Sequence, residues 1–249
     1  FANAMYGFRE LGAEIIPYHV LDEAYDSIER EDIVLDYIDQ CNEVFGKFGV
    51  KPRVPDYPDV LKEFLGRKMW LDTMDSISSN EEKWRAGYFA KPTKTKVFTG
   101  KIIKDISDLM GCGNYNENYE VLVSEPLDIK AEWRCFITYD KLIDVRPYGM
   151  IAKPGNDSYY YTYDSKVLKQ MMEVFAEWED RPASCSMDIC VTSDGRTLLV
   201  ECNDSYALGC YGLSILFYAK MISARWSQLL GVEDEFHFWM IFLWLIIFK

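Results

Sequence analysis

Two carboxylates, Asp188 and Glu201, interrupt apolar runs in the stretch SMDICVTSDGRTLLVECND. The Asp-Gly pair between the runs is a strong signal for a two-residue hairpin turn, which places Asp188 opposite Glu201, with Asn203 one step along on the same face. Like charges at that spacing destabilise a sheet unless a cation lies between them. Two carboxylates and an amide oxygen suit Mg²⁺, whereas the alternative is a solvent-facing acid that pairs with a Lys or Arg. The other face is apolar and predicted to be core: Met187, Ile189, Val191, Leu198, Val200 and Cys202.

A second hairpin is predicted in EWRCFITYDKLIDVRPY. A three-residue loop at 139–141 keeps one face apolar and pairs Arg134 with Arg146. Adjacent arginines repel each other unless they share an anion, and guanidinium groups bind phosphate well. The alternative is internal pairing with Glu132 and Asp144.

A basic segment, YFAKPTKTKVFTGK, stands out in an acidic chain, with lysines at Lys91, Lys94, Lys96 and Lys101. An exposed lysine cluster is usually a solvated surface. Beside a predicted strand, in a chain of net charge −13, it is also a candidate phosphate clamp.

Composition excludes some classes of function. The net charge of −13 and the pI near 4.7 argue against a general nucleic-acid or anionic-membrane binder. Seven cysteines without a CxxC pair and two distant histidines argue against a zinc site and favour a reducing cytoplasm. An apolar run at 236–248 would span about 20 Å as a helix. This is shorter than the roughly 30 Å hydrocarbon core, which favours a buried or foreign tail over a membrane anchor.

Periodicity predicts the elements that position these residues. Helices are predicted at 2–12, 32–49, 60–77 (broken near Gly66), 164–178 and 214–230, with a short strand at 14–17. Short strands fill the region between residues 87 and 150. This pattern is typical of an α+β protein after an α/β-like start, with a domain boundary near residue 78. Because the chain begins inside an amphipathic segment, we expect an N-terminal strand to be missing.

The order of these stretches resembles the ATP-grasp superfamily, and more narrowly its clade named for one arginine and two lysines. The matching stretches are YFAKP with KVFTGK, VLVSEPLDIKAEWRCFI, SMDICVTSDGRTLLVECND and ALGCYGL. The resemblance implies an ATP-grasp fold, in which two α+β subdomains grip ATP, after a partial α/β domain. The predicted units are the partial domain at 1–78, the ATP-grasp domain at 79–232 and an apolar tail at 233–249. Within the ATP-grasp domain, 79–124 would be a lid-like subdomain and 125–232 an antiparallel sheet with the metal site.

The resemblance implies roles for the residues around the nucleotide. Lys91 would reach the α- and β-phosphates, and Lys96 would approach the phosphates from the following loop. Val123 and Ser124 would offer backbone groups to adenine in the hinge VLVSEP, and Glu125 would contribute there. The loop PTKTKVFTG has one glycine, where the family usually has a Gly-rich loop, so lysines would do more of the phosphate binding.

The resemblance also implies a catalytic and a metal set. Arg134 would contact phosphate or the acyl phosphate, with Arg146 as a weaker second group. The positions of Asp188, Glu201 and Asn203 match the metal ligands, which suggests Mg²⁺ carrying ATP as the cation between the carboxylates, with Mn²⁺ as an alternative.

The activity implied is that of an ATP-dependent ligase, which joins a carboxylate to an amine or thiol through an acyl phosphate. The substrates would be small molecules or peptides, and the protein cytoplasmic. Alternatives are an ATP-grasp phosphotransferase and a non-catalytic ATP-binding regulatory protein. The two histidines do not favour a His-based mechanism, so catalysis would rest on positioning and electrostatics.

Overall fold

The computed structural model describes residues 1–53, 55–93, 97–113, 117–148 and 160–237. These residues form an α+β protein, as predicted, with two four-stranded antiparallel sheets. The α-helices are α1 (Ala2–Glu10), α2 (Ile38–Lys47), α3 (Met74–Ser78), α4 (Glu81–Arg85), α5 (Ser165–Glu177) and α6 (Ile215–Leu230). The strands are β1 (Met69–Thr73), β2 (Phe89–Pro92), β3 (Lys101–Ile102), β4 (Glu120–Ser124), β5 (Ile129–Thr138), β6 (Lys141–Tyr148), β7 (Ser184–Thr192) and β8 (Thr197–Asp204). Short 3₁₀ helices lie at Leu21–Glu23, Tyr25–Ser27, Asp59–Phe64 and Ile106–Leu109.

The small sheet has the strand order β1-β4-β2-β3. Its first strand corrects the sequence analysis, which predicted a helix at 60–77. Met69–Thr73 instead pairs along its whole length with Glu120–Ser124, because long-range pairing overrides the local helical pattern. This strand precedes residue 79, where the sequence placed the start of the ATP-grasp domain. The predicted domain boundaries stay predictions.

The large sheet has the order β6-β5-β7-β8, and both of its hairpins contain a bulge. In the β7–β8 hairpin, the predicted pairing of Asp188 with Glu201 is confirmed, but the register shifts by one residue beyond Asp188. Leu199 therefore enters the core, and Val200, predicted to be core, occupies the bulge. Residues 193–196 join the strands in place of a two-residue turn. Arg67 donates to the carbonyls of Leu199 and Val200, at 2.8 Å each, and so binds the bulge.

The β5–β6 hairpin shows a similar compensation. Two residues, Tyr139 and Asp140, join the strands, so the predicted three-residue loop is wrong. A register shift next to Phe136 restores the predicted pairing of Arg134 with Arg146. In both hairpins a bulge absorbs one residue, so that each strand keeps its apolar face on the core.

Three apolar clusters lie around the two sheets. One face of the large sheet packs against α5 and Asp59–Phe64, with Met187 and Leu199 fully buried there. Helices α1, α2 and α6 form a second cluster, which reaches the other face of the sheet at Phe136. The small sheet has a core of its own. Much of the second face of the large sheet is therefore left for polar side chains.

Two other predicted elements need correction. The strand at 14–17 is not formed, since no neighbouring strand in the described part of the chain pairs with it. The helix predicted from residue 32 begins at Ile38, six residues later. Within the described ranges, no helix is long and apolar enough to cross a membrane. Most of the apolar tail (238–249) lies outside the described residues.

Replacing Gly7 by Ala is expected to lower the free energy of unfolding by about 1–3 kcal/mol. A Cβ at Gly7 would overlap the carbonyl oxygen of Ile215, where α1 packs against α6. Gly46→Ala is the matched control, because Gly46 is also helical but a Cβ there meets nothing within 4 Å. We expect this control to stabilise α2 by about 0.5–1 kcal/mol. Urea denaturation measures both changes, and equal effects would contradict the close packing.

Candidate functional site

A row of four charged side chains crosses the large sheet. Arg146 on β6 pairs with Arg134 on β5, which pairs with Asp188 on β7, which pairs with Glu201 on β8. Directly paired residues point to the same face of a sheet, so the four side chains are neighbours. The row places two cations beside two carboxylates on the face opposite α5.

Arg134 and Asp188 form a buried bidentate ion pair at the centre of this row. Nε of Arg134 donates to Oδ1 at 2.8 Å, and Nη2 donates to Oδ2 at 2.6 Å. The two residues are 2% and 0% exposed. Burial raises the pKa of the Asp188 carboxyl, against the opposing effect of the arginine. Burial lowers the pKa of Arg134, but the bond to Asp188 outweighs it, so the net pKa is raised and the guanidinium stays charged.

Lys91 brings a cation from the small sheet to the other end of the row. Its Nζ donates to Oε2 of Glu201 and to Oδ1 of Asp56, at 3.0 Å each. Burial lowers the pKa of Lys91, but the Glu201 charge and other nearby groups more than compensate, so the net pKa is raised. The ring of Tyr57 lies 5.3 Å from this ammonium group. Lys91 therefore joins the two sheets at the carboxylate end of the row.

Asp56 is a site residue that the sequence analysis missed. Its backbone φ of +30° is unusual for a non-glycine residue, and its carbonyl accepts from the N–H of Cys202 at 2.6 Å. This bridge holds the segment 55–57 against β8, next to Glu201. The Pro-rich stretch VKPRVPDYP carried no signal for that contact, which depends on the tertiary structure.

The three predicted metal ligands come together in the structure. Nδ2 of Asn203 lies 3.2 Å from Oδ2 of Asp188 and 3.4 Å from Oε1 of Glu201. Arg134 and Lys91 supply the positive charge, so the acid–base pairing considered as an alternative is present. The described residues contain no group of three or more His, Cys, Asp or Glu side chains arranged to hold a metal. Two carboxylates with an amide still have the donor chemistry of a Mg²⁺ site, and the assignment stays a prediction.

Glu132, one step along β5, was considered only as an ion-pair partner. Burial, together with the charges of Asp188 and Glu201, raises its pKa to about 7. It is paired across the sheet with Tyr148 and with Cys190. Glu132 is therefore a carboxyl that holds its proton close to neutral pH, beside the charged row.

The raised pKa of Glu132 predicts a pH-dependent stability. The folded state keeps the Glu132 proton up to pH about 7, whereas the unfolded chain releases it near the ordinary value of 4.5. Because the folded state binds more protons in this window, stability falls as pH rises through it, by about 2 kcal/mol after discounting partial exposure. Glu132→Gln should remove this fall, measured by urea denaturation from pH 4.5 to pH 8, whereas the exposed Glu173→Gln should retain it. Parallel curves for wild type and Glu132→Gln would contradict the assignment.

The predicted hinge residues lie at the end of the central strand of the small sheet. Val123 and Ser124 are 1% and 3% exposed, and both pair with β1 and β2. Glu125 follows them and is bound to Lys68 twice, through its backbone N–H and its carboxylate, at 3.1 and 3.0 Å. The ladder uses the backbone groups of a central strand, so adenine contacts at Val123 and Ser124 stay a prediction.

The two remaining predicted residues differ in outcome. Arg146 pairs with Asp144, with its Nε 2.7 Å from Oδ2, and is 45% exposed. This is the internal pairing considered as an alternative to a shared anion. Lys96 lies outside the described residues, so its predicted role stays a prediction.

Two antiparallel α+β units, joined by a lysine that reaches from one sheet to the carboxylates of the other, define a protein of the ATP-grasp class. The chain belongs to the second ATP-grasp domain family of the clade named for one arginine and two lysines, and the model of this family matches residues 64–221.

Solved structures with a similar fold include a D-cycloserine synthetase, DcsG. This protein is 10% identical, with 92% of this chain and 94% of that chain covered and a TM-score of 0.54. The macrocyclase MdnC from Microcystis aeruginosa MRC, bound to its precursor peptide MdnA, is 13% identical, with a TM-score of 0.41 and 66% of this chain covered. An N5-carboxyaminoimidazole synthetase from Staphylococcus aureus, in complex with ADP, is 12% identical, with a TM-score of 0.40 and 80% of this chain covered.

This chain spans 58% of the macrocyclase and 52% of the Staphylococcus aureus synthetase. Curated proteins gave no significant match.

Proposed function

We propose that the protein is an ATP- and Mg²⁺-dependent ligase that joins a carboxylate to an amine or thiol through an acyl phosphate. The observation that carries the proposal is the row Arg134–Asp188–Glu201 with Lys91 at its end, which places cations and oxygen ligands where the two sheets meet. ATP-grasp family membership supports the use of ATP. The substrates would be small molecules or peptides.

Lys91 would exchange its partners when ATP binds. Its ammonium group now lies between the carboxylates of Asp56 and Glu201. Phosphate oxygens offer the same negative charge, so Lys91 would turn to the α- and β-phosphates without losing its ionic partners. Glu201 would then be free to bind Mg²⁺ with Asn203 and Asp188. The metal would neutralise charge on the transferring phosphoryl group.

The reaction would proceed in two displacements. A carboxylate oxygen of the substrate attacks the γ-phosphorus of ATP, and ADP leaves. The amine nitrogen then attacks the acyl carbon, orthophosphate leaves and the nitrogen loses a proton. Arg134 would stabilise the phosphoryl oxygens in both steps, because its guanidinium is held rigidly by Asp188. No side chain of the protein becomes covalently attached, so a nucleophile–base pair is not required.

Calorimetry of ATP binding, with and without Mg²⁺, tests the nucleotide site. We expect binding to depend on Mg²⁺ in the wild type and to lose this dependence in Glu201→Gln combined with Asn203→Leu. The Arg146→Met variant is the control, since Arg146 lies in the same row but pairs with Asp144. A folded wild type that binds no ATP under either condition would refute the proposal.

A screen of acids with amines then tests the reaction. A ligase releases orthophosphate in equal amount to an amide product. A phosphorylated product without free orthophosphate would instead show a phosphotransferase. ATP binding without any turnover across the screen would favour the regulatory alternative.

A further inference from the structure

Two tyrosine rings enclose the guanidinium of Arg134. The Arg134 Cζ atom lies 3.9 Å from the ring centroid of Tyr148 and 4.3 Å from that of Tyr211. The two rings meet edge to face, with centroids 5.4 Å apart. Rings on opposite faces of the guanidinium would be farther apart, so both rings cover it from one side, as a corner. Such contacts are strongest when they are shielded from water.

One nitrogen of the enclosed guanidinium is left over. Asp188 uses Nε and Nη2, whereas Nη1 is buried and has no hydrogen-bond partner among the described residues. A buried N–H group without an acceptor is costly and rare. The observation points to an acceptor that arrives from outside the chain, and a cationic donor selects an anion.

Of the two rings, Tyr211 is the one built to move. It is 51% exposed, and its backbone φ is +46°, in a turn that continues into Gly212 at φ +83°. Its ring rests on Gly209, where a Cβ would lie 2.9 Å from Cε2 of Tyr211. Tyr148, by contrast, belongs to strand β6 and is paired with Glu132. The ring of Tyr211 therefore covers Arg134 from a short, glycine-flanked turn.

We propose that Tyr211 is a positioning residue that covers an anion site, whose donor is Nη1 of Arg134, and that it swings aside to admit the anion. The inference rests on the proposed ligase function for the identity of the anion, a carboxylate or phosphoryl oxygen of the reacting groups. In the closed state, Tyr211 fixes the guanidinium and excludes water. In the open state, the anion takes the place of the ring and satisfies Nη1.

The accessibility of Arg134 to a dicarbonyl reagent tests this inference without ATP or a ligase assay. Phenylglyoxal modifies accessible arginines, and mass spectrometry quantifies the rate at the Arg134 peptide. Tyr211→Ala should raise the rate at Arg134 at least about tenfold, because an aromatic contact on a desolvated cation is lost. Tyr211→Phe should match the wild type, since it keeps the ring. Gly209→Ala, which displaces the ring of Tyr211, should raise the rate as well.

Arg146 is the internal standard, because its exposed side chain should react at one rate in all variants. Inorganic phosphate should protect Arg134, but not Arg146, in Tyr211→Ala. An unchanged rate at Arg134 in Tyr211→Ala and in Gly209→Ala, with thermal unfolding as in the wild type, would overturn the cover. A raised rate that phosphate does not lower would overturn the anion site. Because neither result involves ATP, failure here is distinct from failure of the ligase proposal.

Discussion

Replacing Arg134 by Met is expected to lower the free energy of unfolding by about 3–5 kcal/mol. The change leaves the carboxylate of Asp188, which is 0% exposed, without its bidentate partner. A buried unpaired charge either stays ionised at high cost or takes up a proton, and both outcomes destabilise the fold. Urea denaturation at pH 7 measures the loss.

Two variants control for other causes of this loss. Arg146→Met removes the neighbouring arginine of the same row, which is 45% exposed and pairs with Asp144 at the surface. Its effect should be below about 1 kcal/mol. The double change Arg134→Met with Asp188→Leu should recover much of the loss, because apolar replacement of a whole buried pair is often neutral. A single variant as stable as the wild type would show that the pair does not stabilise the fold.

Replacing Lys91 by Met is expected to weaken the binding of ATP by about tenfold to a hundredfold, as loss of a charge-assisted hydrogen bond does. The variant also leaves Asp56 and Glu201 without the ammonium group that lies between them, so it adds repulsion of the phosphates. Calorimetry with ATP and Mg²⁺ measures the change in the dissociation constant.

Lys104, an exposed lysine that follows β3, provides the matched control, since Lys104→Met removes one charge without touching Glu201. We expect this control to change ATP affinity by less than about threefold. Equal losses in the two variants would indicate a general effect of net charge. An unchanged affinity in Lys91→Met would remove Lys91 from the phosphate site.

Much of the site could be predicted from the hairpins. Alternation of polar and apolar residues determines which face of a strand is buried, and a slip of one residue would expose the whole core face. This is why the pairings Asp188–Glu201 and Arg134–Arg146 are confirmed although both turns differ from the predicted ones. The bulges correct the count locally, and the face pattern is preserved.

What the sequence by itself determined is therefore local: two hairpins, the row of charges that each presents, and the helices at 165–177 and 215–230. Only the tertiary structure decided that β5 lies beside β7, which gives Arg134 the partner Asp188, and that Lys91 reaches across to Glu201. It also decided that Met69–Thr73 is a strand and that Asp56 borders the site. Hairpin pairing depends on neighbouring residues, whereas contacts between distant segments depend on how whole sheets pack. Local periodicity carries no information about that packing.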